Sequence, residues 1–314
     1  MLTFKETDLI VAAEIDQSYR IRKEIYFTEE KNELKTEHDE MTNKYKCGFC
    51  NKWIKRKDAF NLHQRGCTAK ILTERFETNY FKQYQVIQPD RRLELMMPYN
   101  LERGLRMYIS GPPRSGKSHL IGQLIREYIR HHPDRNIFMF SQVNSDRAID
   151  EVIEDASRSL RWDRRLFTRI DLKTIMETEI NVDDFRGEYG SLCVFDDIDK
   201  ITDKVLQKRV DGIKDAILAT GRDHDYNGTD IDLIVSNHSS LEHHRTKELL
   251  NQATYVVIFP KGTSDHHLRT VCMKYCGLNK AQVDKIVNTD SRYVIIHREM
   301  PLFVLEEKKV WLVK

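Results

Sequence analysis

The chain has 314 residues, 40% of them hydrophobic and 32% charged, with a net charge of only +2. That length carries one sizeable core and a smaller appendage, and the balanced charge excludes a uniformly basic nucleic-acid binder, so any basic patch is local. No apolar run reaches the roughly 18 residues of a membrane span, so no membrane insertion is expected.

The N-terminus, MLTFKETDLIVAAEIDQSYR, is too acidic and its apolar stretch too short for a secretory signal. A reducing, intracellular compartment follows, in which thiols hold metal more often than they form disulfides. Residues 1–43 are acidic toward their end (Glu29, Glu30, Glu33, Glu37, Asp39, Glu40) and read as a helical or partly disordered lead-in. Residues 44–70 change character: eight Lys and Arg stand against Asp58 alone. Within them Cys47-x2-Cys50-x12-His63-x3-Cys67 has the spacing of a small ββα-type zinc finger with Cys at the final position. Three thiolates and one imidazole suit tetrahedral Zn²⁺, and four protein ligands make the site structural. Tyr45, Ile54 and Phe60 occupy the apolar places of such a finger. Its cations, with Trp53 among them, suit a phosphate backbone; a protein-docking finger is the alternative.

After a connector over 71–100, interrupted by Pro89 and Pro98, residues 101–314 alternate strand and helix. LRMYIS is an apolar strand, HLIGQLIREYIRHH an amphipathic helix, NIFMFS a strand and DRAIDEVIEDASRSL a helix. SLCVFDD is a buried strand ending in carboxylates, and DKVLQKRVDGIKDAILATG a helix closed by Gly221. IDLIVSN and TYVVIFP are further strands, and the tail RYVIIHREMPLFVLEEKKVWLV is rich in β-type runs. The succession predicts an α/β fold with a mostly parallel sheet and covering helices.

Gly111, Pro112, Pro113, Arg114, Ser115, Gly116, Lys117 and Ser118, followed by His119, fit G-x-x-x-x-G-K-[ST] between a predicted strand and a predicted helix. Such a loop curls its N–H groups onto phosphate oxygens, with the helix N-terminus adding partial positive charge. Lys117 reaches the β- and γ-phosphates of ATP, and Ser118 is a Mg²⁺ ligand. Asp196, at the carboxyl end of LCVFDDID, is the Mg²⁺-side carboxylate and Asp197 the group that polarises the attacking water. A second acid there favours hydrolysis over a binding switch. Asp199 reads as a helix N-terminal or capping residue. No Asn-Lys-x-Asp or Leu-Ser-Gly-Gly-Gln motif occurs, which sets GTPases and transporter ATPases aside. His243 and His244, and His266 and His267, point about 100° apart on a helix and read as surface residues. Cys272 and Cys276, one turn apart, read as a buried face.

ISGPPRSGKSHL, LCVFDDID, ILATGRDHDYNGTDIDLIVSNHSS and KELLNQATYVVIFPKG occur in that order. Over about residues 100–290 the chain thereby resembles the FtsK/HerA superfamily, and within it the DNA-packaging ATPases of poxviruses, giant viruses, virophages and Polinton-like elements. The resemblance implies a RecA-like P-loop ATPase core, and an ATP-driven translocase that packages double-stranded DNA into a capsid. It implies a homo-oligomeric ring, a capsid or portal-vertex partner, and a place in the virion or at the viral assembly site. It carries Lys117 and Ser118 onto the phosphate-loop positions and Asp196 and Asp197 onto the acidic pair, where many relatives have Glu second. Asn237 falls where the family has a polar γ-phosphate sensor, often Gln. Arg222 is the favoured arginine finger, Arg245 the other candidate. Two alternatives stay open: a zinc-finger DNA-binding regulator with a nucleotide-dependent assembly switch, and a non-packaging DNA-pumping ATPase or helicase.

Overall fold

The computed structural model describes residues 2–3, 9–15, 21–27, 37–39, 44–46, 53–54, 86–87, 93–95, 104–177, 180–221, 230–238, 244–299 and 301–313. Two compact units emerge, one of residues 1–94 with 301–314, the other of residues 95–300.

The larger unit is built around β1 (Arg106–Ser110), α1 (Lys117–His131), β2 (Asn136–Ser141), α2 (Arg147–Ser159) and β3 (Phe167–Ile170). It continues with β4 (Ser191–Asp196), α3 (Lys204–Thr220), β5 (Ile231–Asn237), α4 (His244–Gln252), β6 (Tyr255–Ile258), α5 (Asp265–Thr270), α6 (Lys280–Val287) and β7 (Val294–His297). The strands lie in the order β3-β2-β4-β5-β1-β6-β7, and all pairs are parallel except β6 with β7. This is the expected α/β class. Every residue of β1, β4 and β6 is buried, as continuous apolar runs in a doubly covered parallel sheet require. Phe140 of β2 stacks on Phe195 of β4 at 4.2 Å. Helix α1 packs against α2 and turns Leu120, Ile121, Leu124, Ile125 and Tyr128 inward, spaced at i, i+4 and i+8 with their neighbours. Asp146 caps α2 through the Ala148 N–H at 2.9 Å, and Asp203 caps α3 through Val205 at 2.8 Å.

The smaller unit differs from expectation. The lead-in over 1–43 contributes antiparallel strands at 9–15 and 21–27 in place of the expected helical or partly disordered segment. Ile10, Val11, Ile15, Ile21 and Ile25 are β-branched, and Ala12, Ala13, Ile25 and Tyr26 are buried; side-chain burial outweighs the acidic composition. The connector supplies 93–95 to that same sheet and 86–87 to the strand at 309–312. That last strand forms a hairpin with 303–306, so residues 301–314 group with the N-terminal unit and not with the ATPase domain expected over 101–314. Strands 37–39, 44–46 and 53–54 form a small antiparallel sheet, with Tyr45 opposite Ile54 and Lys46 opposite Trp53. Cys47, Cys50, His63 and Cys67 lie outside the described residues. Among the described residues no helix is long and apolar enough to cross a membrane.

A polar cluster closes the amino-terminal end of the large sheet. Asp232 is fully buried and accepts from the Tyr128 hydroxyl at 2.8 Å, from Arg135 Nη1 at 3.1 Å and from the Leu105 N–H. Removing the acceptor strands the buried Tyr128 hydroxyl and Leu105 N–H and takes the ion-pair partner from the half-buried Arg135. Asp232→Ala is therefore expected to lower unfolding free energy by about 3 kcal/mol in denaturant titration, with the nucleotide end of the sheet intact.

Candidate nucleotide site

The site lies at the carboxyl ends of three adjacent strands. β5 sits between β1 and β4, with Asn237 opposite Ser110 and Ser236 opposite Asp196. The Gly111 N–H donates to the Asn237 carbonyl at 3.2 Å and the Asp197 N–H to the Ser236 carbonyl at 3.0 Å, so phosphate loop, sensor position and acidic pair share one frame.

The loop is tight at both glycines. A Cβ at Gly111 would lie 2.6 Å from Phe259 Cδ2, inside contact distance. Gly116 has φ 105°, in the left-handed region, and a Cβ there would meet Arg292 Cδ at 3.4 Å. Unlike α2 and α3, α1 starts without a side-chain cap, and it has no acid in its first turn. Its first N–H groups therefore lack helical partners and its positive dipole end is unopposed, as an anion site requires. Ser115 Oγ and Asn237 Oδ1 are buried beside the loop without a hydrogen-bond partner. Such atoms are costly unless something polar completes them: the Ser115 hydroxyl can donate to a phosphate oxygen, while Asn237 Oδ1 only accepts and fits a donor such as water.

Lys117 is buried, with Nζ 2.9 Å from the Gly111 carbonyl and 3.4 Å from Asp197 Oδ1. Asp196 is buried at the end of β4 and accepts from Ser236 Oγ at 2.6 Å. Burial pushes the Asp196 carboxyl up to about 6; the Ser236 hydrogen bond pulls it down, Asp197 pushes it up and Lys117 pulls it down. A carboxylate so placed gains from a cation beside it. Asp197 has φ 50°, which turns it out of the strand direction. Ser118 is the second residue of α1 and half-buried, while Pro113 and Arg114 are exposed. His119 is exposed, its Nε2 3.2 Å from Gln123. The Tyr108 hydroxyl, which burial raises above its ordinary range, hydrogen-bonds the side chains of Asn237 and Ser110.

Asp199 lies in the first turn of the short 3-10 helix Ile198–Lys200, the helix N-terminal place expected of it, and its Oδ2 accepts from the His238 backbone N–H at 3.1 Å. Sequence reasoning passed over two residues, His238 and Arg292. His238 Nδ1 lies 3.3 Å from Asp197 Oδ1 and 3.6 Å from Asp199 Oδ1. The signal available was its position, one residue past Asn237. Arg292, exposed at the entry to β7, reaches across Gly116, and nothing in its local sequence announces this. Arg222 and His243 lie outside the described residues, as do the side chains of His244 and Arg245. His266 is exposed, His267 half-buried, and Cys272 and Cys276 are both buried.

No family model matches the chain. The uncharacterized protein V3 of the Sputnik virophage is 30% identical over 204 residues, 64% of this chain and 74% of that one. The genome packaging NTPase B204 of Sulfolobus turreted icosahedral virus 2 is 15% identical with a TM-score of 0.41, over 65% of this chain and 96% of that one. The cytoplasmic domain of the Type VII secretion ATPase EccC of Thermomonospora curvata is 12% identical with a TM-score of 0.41, over 71% of this chain and 28% of that one.

Alanine at Gly116 must hold a left-handed backbone, its Cβ in ordinary contact with Arg292 Cδ. About 1–2 kcal/mol of strain, or roughly tenfold, is expected as weaker nucleotide binding in a fluorescent-ATP titration, without loss of the fold.

Proposed function

The chain belongs to the family of the Sputnik virophage protein V3, and we propose that it hydrolyses ATP to drive double-stranded DNA into a capsid. The observation that carries hydrolysis is the convergence, on one sheet edge, of an uncapped phosphate loop, a buried lysine and two acids with different surroundings. Gly111 to Ser118 bind the triphosphate, with loop N–H groups and Lys117 Nζ on its β- and γ-phosphates. Ser115 Oγ and the Asn237 side chain, buried beside the loop, complete that polar cradle. Ser118 and Asp196 hold Mg²⁺, which when bound neutralises charge on the phosphate oxygens. Asp197, more exposed than Asp196, orients the attacking water and takes its proton. Arg222, supplied to a neighbouring subunit of a homo-oligomeric ring, stabilises the transferring phosphoryl group.

The load rests on the sequence resemblance to viral packaging ATPases, supported by the basic segment over 44–70. Cys47, Cys50, His63 and Cys67 hold Zn²⁺ as a structural knuckle. The antiparallel strands at 44–46 and 53–54, between which Cys47 and Cys50 fall, suit that reading. The finger tethers DNA or a capsid or portal-vertex protein, which places the chain in the virion or at its assembly site.

Steady-state ATP turnover is expected to rise with long double-stranded DNA and to fall by about 10²–10⁴-fold in Lys117→Ala and Asp197→Asn. A DNA-independent rate in the isolated chain would remove the motor reading. Elemental analysis of the full chain should find one zinc per chain, lost in Cys47→Ser with Cys67→Ser; a zinc-free wild type rejects the knuckle.

A further inference from the structure

We propose that Asp197, Asp199 and His238 form a divalent metal site of the Zn²⁺ class, separate from the Ser118 and Asp196 position proposed for Mg²⁺. Its effect on turnover rests on the hydrolytic reading of Asp197; the site itself does not. His238 Nδ1 lies 3.3 Å from Asp197 Oδ1 and 3.6 Å from Asp199 Oδ1. Nδ1 is nevertheless buried without a hydrogen bond to either, and Asp199 Oδ1 is likewise buried without a hydrogen-bond partner. The three facing atoms all lie within 4.8 Å of one another. Burying such atoms is costly unless something completes them. One cation placed among the three completes them together.

The spacing selects the ion. Two ligand atoms, each about 2.0–2.1 Å from Zn²⁺ and at a tetrahedral angle, stand roughly 3.4 Å apart. The two distances from Nδ1 bracket that value. Mg²⁺ takes oxygen ligands in an octahedron, with neighbours roughly 3.0 Å apart. An imidazole with two carboxylates suits Zn²⁺, with water as the fourth ligand. Neutral His238 with its hydrogen on Nε2 offers the Nδ1 lone pair. Asp199 is held for the role, because its Oδ2 accepts from the His238 N–H at 3.1 Å while its Oδ1 stands by the ring. Charge agrees as well. Two carboxylates stand against one ammonium, that of Lys117, whose Nζ is 3.4 Å from Asp197 Oδ1. The cluster stays net negative and attracts a dication. A carboxylate oxygen bound to a dication loses its basicity, so an occupied site takes Asp197 out of hydrolysis, and Zn²⁺ acts as an inhibitor.

The test dialyses the full chain, without nucleotide, against micromolar free Zn²⁺. Wild type is expected to hold one zinc per chain more than His238→Ala and one more than Asp199→Asn, while fluorescent-ATP affinity stays within about twofold in both variants. The difference between chains cancels any zinc held by Cys47, Cys50, His63 and Cys67. Two variants at separate positions, both still binding ATP, keep misfolding apart from ligand loss. Equal zinc in all three chains overturns the site. In turnover with excess Mg²⁺, the same zinc is expected to slow wild type about tenfold or more and His238→Ala less than about twofold. Equal inhibition of the two overturns the inhibitory role. Wild type and Asp197→Asn are also compared in chelator. If these two turn over ATP equally, the hydrolytic reading of Asp197 fails and the zinc count still decides the site. If they differ and the zinc counts are equal, the metal site alone fails.

Discussion

The parallel register of β5 between β1 and β4 is the constraint on which the site depends. Pairing Asn237 with Ser110 and Ser236 with Asp196 brings three sequence-distant strand ends level with one another. Each strand then delivers a different chemistry to one edge: the curling loop from β1, the polar pair Ser236 and Asn237 from β5, and the acids from β4. A one-residue slip would exchange the faces of every side chain along β5 and turn Ser236 away from Asp196. The polar lock at the opposite end resists that slip. Asp232, four residues before Ser236, is bound by Leu105, Tyr128 and Arg135. Arg106, fully buried, donates to the Ile231 carbonyl at 2.7 Å.

On that frame the electrostatics of the site follow from one buried ammonium. Lys117 cannot stand in a low-dielectric place without negative partners, and it takes the Gly111 carbonyl and Asp197 Oδ1. The two acids therefore differ in kind. Asp196 is sunk at the strand end, satisfied by Ser236, and its carboxyl is raised by burial, which suits a cation-holding group. Asp197 is turned outward by its left-handed backbone and is more exposed than Asp196, which suits a group that meets solvent. Two adjacent residues of one sequence acquire opposite surroundings because a strand ends between them.

Much of this was legible in the chain itself. The strands RMYIS, SLCVFD and IDLIVSN are nearly unbroken apolar runs, which only a sheet covered on both faces accommodates, and the glycines and lysine of the loop carry their own geometric reasons. The lead-in was misread because acidic composition masked short β-branched stretches, and strand pairing is a long-range property that local composition does not encode. His238 and Arg292 were not legible for a related reason. His238 lies near the end of a stretch the family shares but has no role assigned there, and Arg292 belongs to no motif; each matters through what the sheet order sets beside it, Asp197 in one case and Gly116 in the other. Asp199 was legible as a helix N-terminal residue, and its further partner, the backbone N–H of His238, was not, because that contact comes from the neighbouring strand.

The aspartate at position 197 gives these neighbours their weight. Its side chain is one methylene shorter than the glutamate common in the ATPases the sequence resembles, so it has less reach with which to find a water molecule. A shorter acid must be aimed by its surroundings. The structure supplies a left-handed backbone that swings Asp197 out of the strand, and sets Lys117 Nζ, Ser236 Oγ and His238 Nδ1 within 3.5 Å of its Oδ1. Orientation fixed by the backbone then stands in for length within the side chain.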